Sequence, residues 1–141
     1  MMDKVRFDYV AVNQALAAGS YMPIVPLTVR LDNKSITTTG LLDTGATVNV
    51  LPYEIGEALG AVWSEQQSSL HLSGNLANWK AKALLVQAQL AHFDEVQLAF
   101  AWTQSRNVPM ILGQVNFFMA FDVCFYRAEL AFDIKRHDVK V

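Results

Sequence analysis

The chain is organised mainly by short segments in which apolar and polar residues alternate. Residues 25–31 alternate in this way, with Val, Leu, Val and Leu on one side, and this is the period of a half-buried β-strand. The turn-forming sequence Asp-Asn-Lys follows at 32–34, and a β-branched run begins at residue 36 and continues to residue 42. We therefore predict a β-hairpin across this part of the chain.

Similar strand signals recur over most of the remaining sequence. We predict further strands at residues 48–51, 68–72, 79–90, 96–102, 108–112, 123–126 and 129–134. The last two would form a terminal hairpin. Many short strands with few helices favour a mostly-β barrel or sandwich.

Helical signals are few and short. Pro52 stands where prolines favour the start of a helix, Ile55 and Leu59 share one helical face, and Gly60 follows where helices often end. These features predict one short helix after residue 52. Residues 115–120 are compatible with a further helical turn.

Length and composition fit one globular domain with apolar surface to spare. The chain has 141 residues, of which 52% are hydrophobic and 17% charged, whereas a typical domain is about 25% charged. Such a chain is not disordered, and its surplus of apolar residues suits an oligomer interface or an apolar groove. We expect the folded domain at residues 21–134 and a polar tail at 135–141. Residues 1–20 would be an N-terminal arm, either a short helix over 10–18 or irregular.

Charge and composition also exclude several kinds of partner. The net charge is −2 and no basic patch is visible, which argues against nucleic acid. No uncharged run reaches the ~20 apolar residues of a membrane helix. Residues 1–7 lack the apolar region of a signal peptide. We therefore expect a cytoplasmic protein that binds neither nucleic acid nor membranes.

The metal-binding and sulfur-containing residue types give little sign of a cofactor site. The three histidines are too scattered for a metal-ligand pattern, so we expect no metal and no cofactor. Cys124 is the one cysteine, which rules out an internal disulfide. Because it lies in an apolar strand, we predict a small core residue there.

One segment carries a candidate for chemistry. Asp43 directly follows the apolar end of the predicted hairpin, and Gly45 permits a sharp turn two residues later. This arrangement would bring a carboxylate to the end of a buried strand, at the edge of the core. Asp-Thr-Gly is also an ordinary turn sequence, in which Asp or Thr bonds the local backbone. The tripeptide by itself leaves both interpretations open.

The surrounding sequence resembles that of the retropepsin-like, single-lobe aspartic proteases. Residues 41–52 read Leu-Leu-Asp-Thr-Gly-Ala-Thr-Val-Asn-Val-Leu-Pro, and Ile-Leu-Gly lies downstream at 111–113, before a possible helical turn. Both motifs match the family in order and spacing, over about residues 21–134. The resemblance implies a closed or semi-open β-barrel of the retropepsin (acid protease) type, mostly β, with one or two short helices.

The same resemblance implies a hydrolase, an aspartic endopeptidase, and assigns its site residues. Asp43 would be the catalytic acid or base, and Thr44 would brace two active loops across a dimer axis. Gly45 would let the backbone approach the substrate, while Ala46 and Gly113 would support the loop. A flap would cover the cleft and contact the substrate through Ser73, Gly74, Asn75 and Leu76.

The number of carboxylates per chain predicts the oligomeric state. Peptide hydrolysis by this route needs two carboxyl groups that share one proton, but the sequence contains one Asp-Thr-Gly. Asp94 and Asp122 are not followed by Thr-Gly. We therefore expect a two-fold symmetric homodimer in which Asp43 meets Asp43 of the partner subunit, with a peptide or protein as substrate.

Two other functions remain open at this point. The chain could be a catalytically silent module that keeps the fold and serves in peptide binding or dimerisation. It could also be a β-barrel with a fortuitous Asp-Thr-Gly turn. An intact Asp-Thr-Gly-Ala disfavours the first, since a silent module has no chemical need for that aspartate. The Ile-Leu-Gly motif downstream disfavours a fortuitous Asp-Thr-Gly turn.

Overall fold

The computed structural model describes residues 3–12, 20–66, 69–72 and 79–138. Short strands dominate the described residues. The strands are β1 (Lys4–Asp8), β2 (Val10–Ala11), β3 (Tyr21–Met22), β4 (Ile24–Leu31), β5 (Lys34–Leu42), β6 (Asn49–Leu51), β7 (Ser69–Leu72), β8 (Trp79–Gln89), β9 (Val96–Thr103), β10 (Ile111–Leu112), β11 (Phe121–Tyr126) and β12 (Ala131–Arg136). The helices are α1 (Tyr53–Ala58) and α2 (Phe117–Ala120), with 3₁₀ turns at Trp63–Glu65 and Arg127–Glu129.

Six strands close into a barrel. Their order is β4-β5-β10-β6-β9-β8, and antiparallel pairing of β8 with β4 completes the ring. The β5–β10 and β6–β9 pairs are parallel, and the other neighbours in the ring are antiparallel. The mostly-β barrel with one or two short helices, as predicted from the sequence, is therefore confirmed.

The barrel interior is filled by alternate residues of its strands. Val25, Leu27 and Val29 of β4 are each at most 2% exposed, as expected where one face of a strand meets the core. Among the residues whose burial is described, the largest fully buried side chain is that of Trp102 on β9. Its indole N–H donates to the carbonyl oxygen of Tyr53 at 3.1 Å, so it also anchors the start of α1.

A second sheet joins the two ends of the chain. β12 lies between β1 and β11, and both pairings are antiparallel. Phe132 is fully buried on its inner face and stacks on Phe7 at 5.5 Å between ring centroids. On its outer face, Asp133 accepts two hydrogen bonds from the Arg6 guanidinium, at 2.7 and 3.2 Å. The N-terminal strand is thus held to the C-terminal strand by aromatic packing and by an ion pair.

Most strand predictions hold, and three details differ. The strand predicted at 108–112 is confined to Ile111–Leu112. Val10 and Ala11 form β2, which pairs with β3, instead of starting a helix; residues 13–19 lie outside the described residues. Cys124 is exposed and not a core residue, because it stands opposite Asp133 in the β11–β12 register and so shares the outer face of the sheet.

The Arg6–Asp133 ion pair should make the stability of the fold depend on pH in the acid range. The hydrogen bond from Arg6, aided by the charges of Arg6 and Lys4 and opposed by burial, holds the pKa of Asp133 below its ordinary value. A carboxyl with a lowered pKa in the folded state contributes stability above the unfolded pKa, about 3.9 for Asp. This contribution is lost as the pH falls from there through the folded value.

We therefore expect Arg6→Gln to lower the free energy of unfolding more at pH 6 than at pH 3. Urea denaturation at the two pH values measures the difference. Arg30→Gln is the control. Arg30 also lowers the pKa of Glu95 through a hydrogen bond, but Glu95 is 38% exposed, so the same difference should be smaller there. An equal loss for Arg6→Gln at both pH values would contradict this account.

Candidate active site

The backbone of Asp43 is fixed by the end of a neighbouring strand. Asp43 directly follows β5, and its N–H donates to the carbonyl oxygen of Leu112 at 3.0 Å. This bond extends the parallel ladder of β5 and β10, in which Leu41 pairs with Ile111 and Leu42 with Leu112. The carboxyl ends of two parallel strands lie at the same edge, so the Asp-Thr-Gly and Ile-Leu-Gly motifs meet there.

The turn that follows Asp43 is tight and closed by its own groups. The Asp43 Oδ1 atom accepts the N–H of Gly45 at 2.9 Å, and the N–H of Ala46 donates to the Asp43 carbonyl oxygen at 3.1 Å. The Asp43 side chain is half-buried, while Thr44 and Gly45 are exposed. The carboxylate therefore sits at the barrel edge, with one oxygen held by the loop.

The Asp43 carboxylate is not neutralised by a basic side chain. None of the ion pairs formed among the described residues involves Asp43. No basic side chain among the described residues therefore competes for its carboxylate oxygens.

The segment after β10 binds the other side of the loop. The backbone N–H groups of Gln114 and Val115 donate to the carbonyl oxygens of Ala46 and Thr47, at 2.9 and 2.8 Å. The Gln114 side chain adds a bond from Nε2 to the carbonyl oxygen of Thr44 at 2.7 Å. This segment therefore makes three hydrogen bonds to carbonyl oxygens of the loop.

Gly113 lies where the two segments approach most closely. A methyl group on its Cα would stand 2.7 Å from the Val48 carbonyl oxygen and 2.8 Å from that of Ala46. Both obstacles are backbone atoms, which cannot turn aside as a side chain can. The glycine of Ile-Leu-Gly is therefore required by packing against the loop.

The structure brings the predicted residues together in part. The loop residues Asp43, Thr44, Gly45 and Ala46 lie beside Gly113. β7 and β8 form an antiparallel pair, as expected of the two arms of a flap. The predicted flap residues Ser73, Gly74, Asn75 and Leu76 lie outside the described residues.

Three polar residues that contact this region were not predicted as site residues. They are Gln114, Asn49 and Asn116. The sequence signal for Asn49 was a polar residue inside the apolar strand at 48–51. Gln114 follows Ile-Leu-Gly directly and Asn116 comes two residues later, where only their partners in space distinguish them from surface residues.

No helix in the described part of the chain is long and apolar enough to cross a membrane.

The fold is similar to that of solved aspartic proteases. A retropepsin-like aspartic protease from Rickettsia conorii matches with a TM-score of 0.63 and 14% identity, over 96% of this chain and 94% of that chain. EIAV protease, solved in complex with an inhibitor, matches with a TM-score of 0.54 and 16% identity, over 70% of this chain and 86% of that chain. No protein-family model and no curated protein matches the sequence. At these identities the matches establish the retropepsin-like fold, as the two motifs had indicated.

The close approach at Gly113 gives a testable expectation. We expect Gly113→Ala to lower the free energy of unfolding by about 1–3 kcal/mol, the usual cost of overpacking, because backbone must move to admit the methyl group. Gly45→Ala is the matched control, since a methyl group there meets only the Asp43 Oδ1 atom, at 3.3 Å. Urea denaturation compares the two. A smaller loss for Gly113→Ala than for Gly45→Ala would overturn the packing argument.

Proposed function

We propose that this protein is an aspartic endopeptidase that acts as a homodimer. The peptide bond of the substrate would lie between the Asp43 carboxyl groups of the two subunits, where it is hydrolysed. The observation that carries the proposal is the placement of Asp43. It lies half-buried at the end of a barrel strand, free of ion pairs among the described residues, in a loop held by the Ile-Leu-Gly segment. The retropepsin-like fold supports the same conclusion.

The reaction follows from two carboxyl groups that share one proton. The ionised group takes a proton from a water molecule, whose oxygen attacks the scissile carbonyl carbon, while the other group protonates the carbonyl oxygen. As the C–N bond breaks, the first group gives its proton to the leaving nitrogen. The second group takes a proton back from a hydroxyl of the intermediate, which restores the starting state.

A second copy of the chain would complete the site. Each chain supplies one Asp-Thr-Gly, and Thr44 is exposed beside Asp43, where it can contact the partner. Val115, which bonds the active loop, is 49% exposed, and Met119 of the following helix is 68% exposed. These two exposed apolar side chains support, but do not by themselves define, a surface that a partner covers.

The remaining parts of the proposal concern the substrate and its access. The antiparallel β7–β8 pair carries residues 73–76 at its connection, and these would close over a bound peptide and exclude water. The substrate is a peptide or protein. A cytoplasmic location stays a prediction from the sequence. A catalytically silent peptide-binding or dimerisation module is the alternative.

The catalytic role of Asp43 is tested by removing its charge. We expect Asp43→Asn to lower kcat/KM on a peptide library by at least about 100-fold, because general acid–base catalysis contributes about 10²–10⁴. Asp94→Asn is the matched control, as Asp94 is exposed and outside the loop. Cleavage by Asp43→Asn at the wild-type rate would exclude the proposed mechanism. A wild-type dimer that cleaves no peptide would favour the silent module.

Sharing of the site between subunits is tested by mixing. When wild type is re-equilibrated with an equal amount of Asp43→Asn, about a quarter of the dimers should be wild-type homodimers. The mixture should then retain about half the activity of the same amount of wild type alone, since mixed dimers lack one carboxyl group. Mixing wild type with Asp94→Asn should instead give the sum of the activities of the two proteins. Undiminished activity in the first mixture, or a monomer at high concentration in sedimentation, would contradict a shared site.

A further inference from the structure

Asn49 is a fully buried polar residue at the start of a short, otherwise apolar strand. It lies in β6 with 0% of its surface exposed. Its Oδ1 atom accepts the N–H of Gly113 at 2.7 Å, and its Nδ2 atom donates to the carbonyl oxygen of Ala99 at 3.0 Å. Burying an amide is unfavourable unless its hydrogen bonds are made. Here both ends of the amide are used, and they connect β9 to the segment that follows β10.

Asn116 reaches the same point from the other side. Its Oδ1 atom accepts the N–H of Ala99 at 2.7 Å and lies 3.4 Å from Asn49 Nδ2. Asn116 precedes α2, where an asparagine side chain usually caps the helix, but this one makes no capping bond. The two asparagines therefore bind both polar groups of the Ala99 backbone.

The backbone at Asn116 is strained. Its φ is 85° and its ψ is −50°, a region that costs a residue other than glycine about 1–3 kcal/mol. Such strain persists only where the surroundings hold the residue in place, and it is frequent at active sites. The contacts of the Asn116 oxygen are the interactions that hold it.

The two asparagines are linked to Asp43 through one short segment. Gly113, whose N–H Asn49 binds, lies between Leu112, which accepts the N–H of Asp43, and Gln114, which donates to Ala46. The peptide groups on either side of Gly113 thus hold the loop of residues 43–46 at both of its ends. Movement of this segment would move the Asp43 carboxylate.

We propose that Asn49 and Asn116 form a buried amide clamp that positions Asp43 for catalysis. This inference rests on the proposed function, in which two carboxyl groups from different subunits must meet with little tolerance. A misplacement of about 1 Å in an active site can cost about 100-fold in rate. Asn49 and Asn116 are positioning residues, because they act through the 112–114 segment and not on the substrate.

The clamp predicts that activity and stability respond in opposite directions at Asn116. Asn116→Gly removes the oxygen but relieves the positive φ, so the protein should fold with unchanged or raised stability in urea. We expect kcat to fall by at least about tenfold while KM changes less than about threefold, as for a misplaced catalytic group. Asn116→Asp keeps the oxygen and should retain kcat within about threefold of wild type.

Asn49→Leu, an apolar change of similar size, should lower kcat in the same way, by at least about tenfold. Thr103→Val is the matched control. Thr103 is 1% exposed in β9 and accepts the N–H of Ser105, away from the active loop. Thr103→Val also removes a hydrogen bond of a buried side chain, so it should lower the free energy of unfolding. The kcat per folded molecule should stay unchanged. Equal kcat losses in Asn49→Leu and Thr103→Val, or an unchanged kcat in Asn116→Gly, would overturn the clamp.

Hydrogen exchange separates failure of the clamp from failure of the proposed function. The Asp43 N–H donates to the carbonyl oxygen of Leu112 and not to either asparagine. In Asn116→Gly its exchange should be at least about tenfold faster than in wild type, and in Thr103→Val it should be unchanged. Unchanged exchange in Asn116→Gly would contradict the clamp even if wild type cleaves no peptide. If wild type cleaves no peptide but the Asp43 N–H exchanges faster in Asn116→Gly than in wild type, the clamp is supported and the protease function is rejected.

Discussion

The parallel pairing of β5 with β10 is the constraint on which the rest of the structure depends. Parallel strands cannot be joined by a tight turn, so the chain between Leu42 and Ile111 must travel around the barrel before it returns. That path supplies β6, α1 and the β7–β9 strands. Because both strands end at one edge, Asp43 and Gly113 come together although they are far apart in sequence.

This edge then needs a dense set of hydrogen bonds. The loop after Asp43 exposes several carbonyl and N–H groups, and the segment after Leu112 binds them through backbone and side-chain donors. The approach leaves no room for a side chain at Gly113. Asn49 fixes that glycine from inside the barrel. The candidate catalytic group thus lies in a loop that is hydrogen-bonded to the end of a neighbouring strand.

Local periodicity was a good guide to the strands and a poor guide to what each strand faces. The hairpin of β4 and β5 was predicted because its alternation and its turn lie within one short stretch. The terminal hairpin of β11 and β12 was predicted in the same way, but the pairing of β1 with β12 was not, since Arg6 and Asp133 are 127 residues apart. Cys124 was misassigned to the core because an apolar run does not reveal which of its two faces meets the barrel.

The sequence by itself determined the mostly-β class, the two motifs and the presence of one Asp-Thr-Gly per chain, because these depend on residue type and on spacing along the chain. The tertiary structure alone decided which polar residues support Asp43. Asn49 meets Gly113 and Asn116 across 64 and 67 residues, and Gln114 meets Thr44 across 70. A hydrogen bond is set by distance and direction in space, and neither is encoded in the local alternation from which the strands were predicted.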